Sequence, residues 1–246
     1  MQLIMNADDF GLTKGVNLGI IQAFQKGIVR STTLMVGMPA VEHAVQLSKE
    51  NPALKVGVHL RLTAGYPEAD GVSSLLGEDG RFQQQSLFWD NQTMKPEDIE
   101  KELRTQIEHF LVLDIPLSHL DGHHHCHKHP LVAPVVAKLA EDYGVPVRPC
   151  SHPIQYQGKR FGFSDAFYGD QLSTQQLLNM IEPYKNQLQV LEMMAHPAIV
   201  DEALENVSSY NNARAKELKI LTDPTLPEAL HNMGISITDY SCLQEL

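Results

Sequence analysis

The spacing of apolar and polar positions divides the chain into short β-rich runs separated by stretches of helical periodicity, from its first residues to its last. The runs that predict strands are Gln2 to Ala7, Ser31 to Val36, Val56 to Leu60, Leu117 to Asp121, Val145 to Arg148, Leu188 to Met194 and Ile235 to Thr238. Between them the pattern predicts helices over Gly15 to Lys26, Ala40 to Glu50, Pro96 to Leu113, Leu131 to Tyr143, Thr174 to Tyr184 and Pro227 to Asn232. The clearest begins at Pro96, which suits a first helical position. Glu97 and Asp98 favour the positive end of the helix dipole, and Ile99, Leu103, Ile107, Phe110 and Leu111 line one face. Strands that alternate with helices imply βα units around a parallel sheet. About seven such strands predict an α/β barrel, and 246 residues is a length at which a barrel forms one domain, 1–246.

Two stretches break the pattern, Thr63 to Thr93 and Ser151 to Gln171, the second with Gly158, Gly162 and Gly169. Long excursions from a packed domain usually carry function, so substrate contacts are expected here. Trp89, the single tryptophan, and Tyr168 are each candidates to stack on a sugar ring, and each is equally well a packing residue.

Composition narrows the function. With 43% hydrophobic residues the chain can bury a sizeable core. A net charge of −11 without any Lys/Arg run disfavours nucleic acid, whose binders need clustered cations, and a neutral substrate fits better. The three cysteines, Cys126, Cys150 and Cys242, are too few and too scattered for a disulfide framework, which implies a reducing compartment. The opening MQLIMNADDF holds only a short apolar run cut by Asp8 and Asp9, so neither a signal peptide nor a membrane span is expected, and the protein is read as cytoplasmic.

The chemistry gathers at predicted strand ends. Asp8 and Asp9 follow the first strand, where a barrel places its active site; a turn could bring both carboxylates to one side, or they could merely form an Asx turn before the next helix. His119 to His129 holds six of the 12 histidines in eleven residues, enough to offer one or two ligands to a divalent ion. His59 ends the third strand, Arg148 the fifth and His196 the sixth. The carboxyl ends of barrel strands converge, so these distant residues would surround one pocket.

The phrases NADDFGLTKGVNLGI (6–20), VGVHLRLT (56–63), SHLDGHHHCHKHP (118–130), FGFSDAFYG (161–169) and LEMMAHP (191–197) together resemble the YdjC-like carbohydrate deacetylase family, and within it the chitooligosaccharide (chitin disaccharide) deacetylases. The resemblance covers essentially the whole chain. It departs from the family pattern at Gly122, where a serine is common. It implies a distorted TIM-like barrel related to polysaccharide (NodB-like) deacetylases, with a divalent metal held by Asp9, His59 and His123 and with Asp8 as general base. The further likeness to polysaccharide deacetylases makes Arg148 the residue that orients Asp8 and His196 the general acid. The metal implied is Mg²⁺, although two imidazoles and a carboxylate suit Zn²⁺, Co²⁺ or Mn²⁺ better. The implied substrate is a small N-acetylated sugar such as N,N'-diacetylchitobiose, with another N-acetylated sugar or a glycolipid head group as the alternative. No nucleic acid or membrane partner is implied, and a homodimer stays open.

Two other classes compete. A metal-dependent phosphoesterase is disfavoured by the negative charge and the lack of a phosphate-cradling glycine loop. A non-catalytic metal- or sugar-binding protein would have no use for a base beside the ligands.

Overall fold

Strand β1 (Gln2–Phe10) is buried on both faces and sits at the centre of the sheet. Leu3, Met5 and Ala7 enter the large core, while Ile4 packs with Phe161, Val190, Tyr240 and Leu243 in a second cluster. Alternate residues of a strand face opposite ways, so these two clusters lie on opposite faces of the sheet. The computed structural model describes residues 1–244.

Parallel strands β2 (Ser31–Leu34), β3 (Lys55–Leu60) and β4 (Leu117–Gly122) extend the sheet on one side of β1. On the other side lie β7 (Val190–Ala195) and then β6 (Lys159–Ser164), also parallel, with β5 (Ile154–Tyr156) antiparallel to β6 at the edge. The last strand, β8 (Ser236–Thr238), pairs in parallel with residues 2–4 of β1. The result is a curled, mostly parallel sheet, a distorted TIM-like barrel as the sequence led us to expect.

Val145 to Arg148, predicted as the fifth strand, is not one. Its backbone meets β4 through a single parallel bridge, Leu120 to Val147, with two hydrogen bonds of 3.0 and 2.9 Å. Pro146 and Pro149 flank the bridge and have no N–H to extend a ladder. The opposite edge of the sheet, beyond β7, is formed by the β5–β6 hairpin, from within the stretch read as an excursion. Gln157 (φ 47°) and Gly158 (φ 72°) form its two-residue turn, both left-handed as such tight turns require.

The helices cover the outer face. Thr13 caps α1 (Lys14–Lys26) by accepting from the Val16 N–H, and Asp201 caps α7 (Glu202–Val207) while also accepting from the Gly15 N–H at 2.7 Å. That shared carboxylate fastens the start of α1 to the segment that follows β7. The predicted helices are present as α1, α2 (Val41–Glu50), α4 (Pro96–Leu111), α5 (Ala133–Tyr143), α6 (Thr174–Ile181) and α9 (Leu226–Asn232). The pattern gave no sign of α3 (Gln85–Asp90), α7 or α8 (Asn212–Leu221). Among the described residues no helix is long and apolar enough to cross a membrane.

Candidate active site

The end of β1 is bent. Asp9 has φ 71°, a left-handed conformation uncommon for a residue with a side chain, and the register with β2 shifts between Ala7 and Phe10. An undistorted strand would send Asp8 and Asp9 to opposite faces. With the bulge, both carboxylates reach the same buried cluster, each only 2% exposed. Such strain persists where the surroundings hold it in place, and Gly11 (φ 93°) continues the turn into α1.

Asp9, His59 and His123 come from the ends of β1, β3 and β4, and their ligand-type atoms all lie within 4.8 Å of one another. Both imidazoles address one oxygen: His123 Nδ1 is 2.9 Å and His59 Nε2 3.4 Å from Asp9 Oδ1. The other ring nitrogen of His59 donates to Asp121 Oδ1 at 2.6 Å, and Thr33 Oγ1 donates to Asp121 Oδ2 at 3.0 Å. An ionised carboxylate can only accept, so Asp121 holds the Nδ1–H of His59 and turns Nε2 toward Asp9. One carboxylate, two imidazoles and a carboxylate behind one of them form a donor set that fits a divalent cation. Asp8, His59 and Asp121 also lie within 4.8 Å, but Arg148 already engages both of those carboxylates, so a cation there would face a fixed positive charge.

Burial opposes charge on His59, yet the carboxylates of Asp121, Asp9 and Asp8 outweigh it and raise the imidazole to about 10. Burial would also raise Asp9, but Arg214, which donates to Oδ2 at 2.7 Å, and His123 hold it well below the usual carboxylate range.

Arg148 is fully buried and serves three carboxylates. It forks onto Asp8 with bonds of 2.8 and 2.7 Å, reaches Asp121 at 2.8 Å and donates to Glu192 at 2.8 Å. Asn6 donates a further 2.8 Å bond to Asp8 Oδ1, and Tyr240 donates to Glu192 from below. Desolvation pushes Asp8 upward, but the guanidinium prevails and keeps it ionised; Glu192, for which burial dominates, rises to about 7.

His196 follows β7. Its backbone N–H donates to Glu217, and its ring Nδ1 is buried without a partner. Burial and the nearby Arg214 lower it to about 4, so the ring is neutral at rest. Glu217, raised to about 8 chiefly by burial, also accepts from the Tyr210 hydroxyl at 2.5 Å.

All six residues singled out in the sequence therefore meet in one place. The remaining histidines of the cluster do not join the Asp9 group. His119 stacks on Tyr240 with ring centroids 3.5 Å apart, His124 Nδ1 bonds Thr63 at 3.0 Å, His125 lies 3.7 Å from Asp165, and His129 packs against Phe88 and Trp89. His127 is buried and held neutral by that burial. His124 and His125, at φ 50° and 57°, form the left-handed turn that follows His123.

Sequence reasoning missed Asp121, Glu192, Arg214 and Glu217. Two of these carried a readable signal. His119 and Asp121 are two apart on a strand and so share a face, and Glu192 is a lone charge in an otherwise apolar strand that could only be buried with a partner.

The fold and this cluster together describe a barrel with a carboxylate–imidazole centre at the carboxyl ends of its strands. The YdjC-like protein family model matches residues 2–232, and the chain belongs to that family. A carbohydrate deacetylase of Vibrio cholerae serotype O1 (strain ATCC 39541) is 47% identical over 99% of this chain and 96% of its own. A crystal structure from Enterococcus faecalis V583, of a protein provisionally assigned to cellobiose-phosphate cleavage, is 34% identical with TM-score 0.90 over 99% of both chains. The Bc1960 peptidoglycan N-acetylglucosamine deacetylase shares the fold alone, at TM-score 0.50 and 10% identity over 99% of this chain and 87% of its own.

Proposed function

We propose that the chain is a single-domain, metal-dependent carbohydrate N-deacetylase that removes an acetyl group from chitooligosaccharides such as N,N'-diacetylchitobiose, yielding acetate and a free amine. The observation that carries this reading is the juxtaposition of Asp9, His59 and His123 with an ionised Asp8 clamped by Arg148. The 47% identical carbohydrate deacetylase supports the substrate class. Asp9, His59 and His123 would hold a divalent cation, Mg²⁺ by family resemblance or Zn²⁺, Co²⁺ or Mn²⁺ by ligand chemistry. Bound there, the cation supplies a more acidic water and a polarised amide carbonyl.

The chain's own groups do the rest. Asp8, locked by Arg148 and Asn6, accepts a proton from the attacking water as its oxygen bonds to the carbonyl carbon. His196 is neutral beforehand and takes up the proton relayed from Asp8 as negative charge develops on the carbonyl oxygen, because an adjacent anion favours the imidazolium and Asp8 is thereby returned to its ionised form. It then donates that proton to the departing nitrogen, the C–N bond breaks, and acetate and amine leave. Incubation of metal-loaded protein with N,N'-diacetylchitobiose and chitotriose, followed by mass spectrometry, tests the reading: loss of one acetyl group is expected, and intact sugars would refute it.

A further inference from the structure

Trp89 and Tyr168 looked equivalent in the sequence, but the structure separates them. Trp89 packs against Phe88 and His129 in the core region. Tyr168 is 52% exposed. One face of its ring is covered by Tyr210, with centroids 4.0 Å apart and planes 11° from parallel, and the ring lies 5.7 Å from His196. Its loop is anchored: the Gly169 N–H donates to the Tyr210 hydroxyl at 2.9 Å, and Lys216 Nζ donates to the Asp170 carbonyl at 2.7 Å. Tyr210 in turn is bonded to Glu217, which also holds the His196 backbone. The exposed ring and the candidate acid are thus built on one rigid support.

We propose that the open face of Tyr168 is the stacking platform for a pyranose ring of the substrate, fixing the sugar beside His196. This rests on the deacetylase reading and deepens it. A single ring-sized apolar surface, backed by a second aromatic and tipped with a hydroxyl, matches the C–H face of one sugar unit rather than a broad protein interface. With its ring 5.7 Å from that of His196, the platform borders the reacting groups. Because the loop is already pinned, ordering it on binding costs little.

The test is calorimetric titration of N,N'-diacetylchitobiose into metal-loaded protein carrying Asp8→Asn to prevent turnover, alone and with Tyr168→Phe or Tyr168→Ala. Acetate release is measured in parallel with Asp8 intact. Tyr168→Ala should weaken binding about tenfold and raise KM to match, as expected for losing the burial of one sugar face, while Tyr168→Phe stays within about twofold. Metal content and melting temperature should not change. Unaltered affinity in Tyr168→Ala, or equal loss in both variants, overturns the platform. Sugar binding that depends on Tyr168 without acetate release from the parent overturns the reaction and retains the platform; acetate release with unchanged KM in Tyr168→Ala does the reverse.

Discussion

Replacing Arg148 with methionine keeps much of the side-chain volume and removes the charge that three buried carboxylates share. Asp8, Asp121 and Glu192 would be left facing one another within reach of a single vanished guanidinium. Breaking one buried ion pair from one side costs about 3–5 kcal/mol, and domains have only about 5–15 kcal/mol in total, so Arg148→Met should lose at least about 3 kcal/mol near neutral pH. The contribution of Asp8 to the pH dependence should also change sign. In the parent, Asp8 is held below its unfolded value; its contribution is present above that value and lost as pH falls through the folded one. In the variant burial acts unopposed and raises Asp8, so the folded state takes up protons that the unfolded state does not. The loss relative to the parent then shrinks on acidification from about pH 8 to about pH 5. Urea unfolding at both pH values measures this. A loss under about 1 kcal/mol, or one that does not shrink at the lower pH, would show that Arg148 is not the counter-charge of this cluster.

Three further outcomes follow from the same geometry. Alanine at Asp9, His59 or His123 should each lower bound metal by elemental analysis, whereas alanine at His127 or His129, which lie outside the group, should be milder; equal loss throughout would mean a collective binder. In metal-free protein the raised His59 contributes stability that is full below about 6.5 and lost as pH rises toward about 10; metal must displace its proton, so affinity should rise about tenfold per pH unit up to that value, and calorimetry showing pH-independent affinity would remove His59 from the ligands. A Cβ at Gly19 would sit 2.4 Å from the Ala198 Cα, so Gly19→Ala should destabilise by about 1–3 kcal/mol rather than gain helix propensity, and should slow turnover by shifting the segment that carries His196; a variant at least as stable and active as the parent would contradict the close approach.

Much of the site was legible because barrels gather strand ends, and the residues at those ends are chemically conspicuous: a double aspartate, a histidine cluster, and Arg148 and His196 each before a proline. What escaped was the support. Helix α8 buries Arg214 and Glu217, which break the apolar periodicity by which a core-facing helix is recognised. The Ser151 to Gln171 stretch hid a hairpin because its strands are short and its turn is Gln-Gly rather than a stronger signal. Val145 to Arg148 has the right residues for a strand but lacks donors at its prolines, and Arg148 reaches the cluster from a single bridge. The bulge at Asp9 could not be read from two adjacent aspartates, since an Asx turn has the same letters.

The central claim is that Asp8 accepts the proton while Asp9 belongs to the metal centre. Acetate release from N,N'-diacetylchitobiose by Asp8→Asn, with metal content determined on the same samples, tests it most directly. The isosteric amide keeps the shape and removes the proton acceptor. Undiminished metal and turnover lower by about two to four orders of magnitude are expected. An Asp8→Asn protein that stays fully active, or that recovers when metal is added, would contradict it.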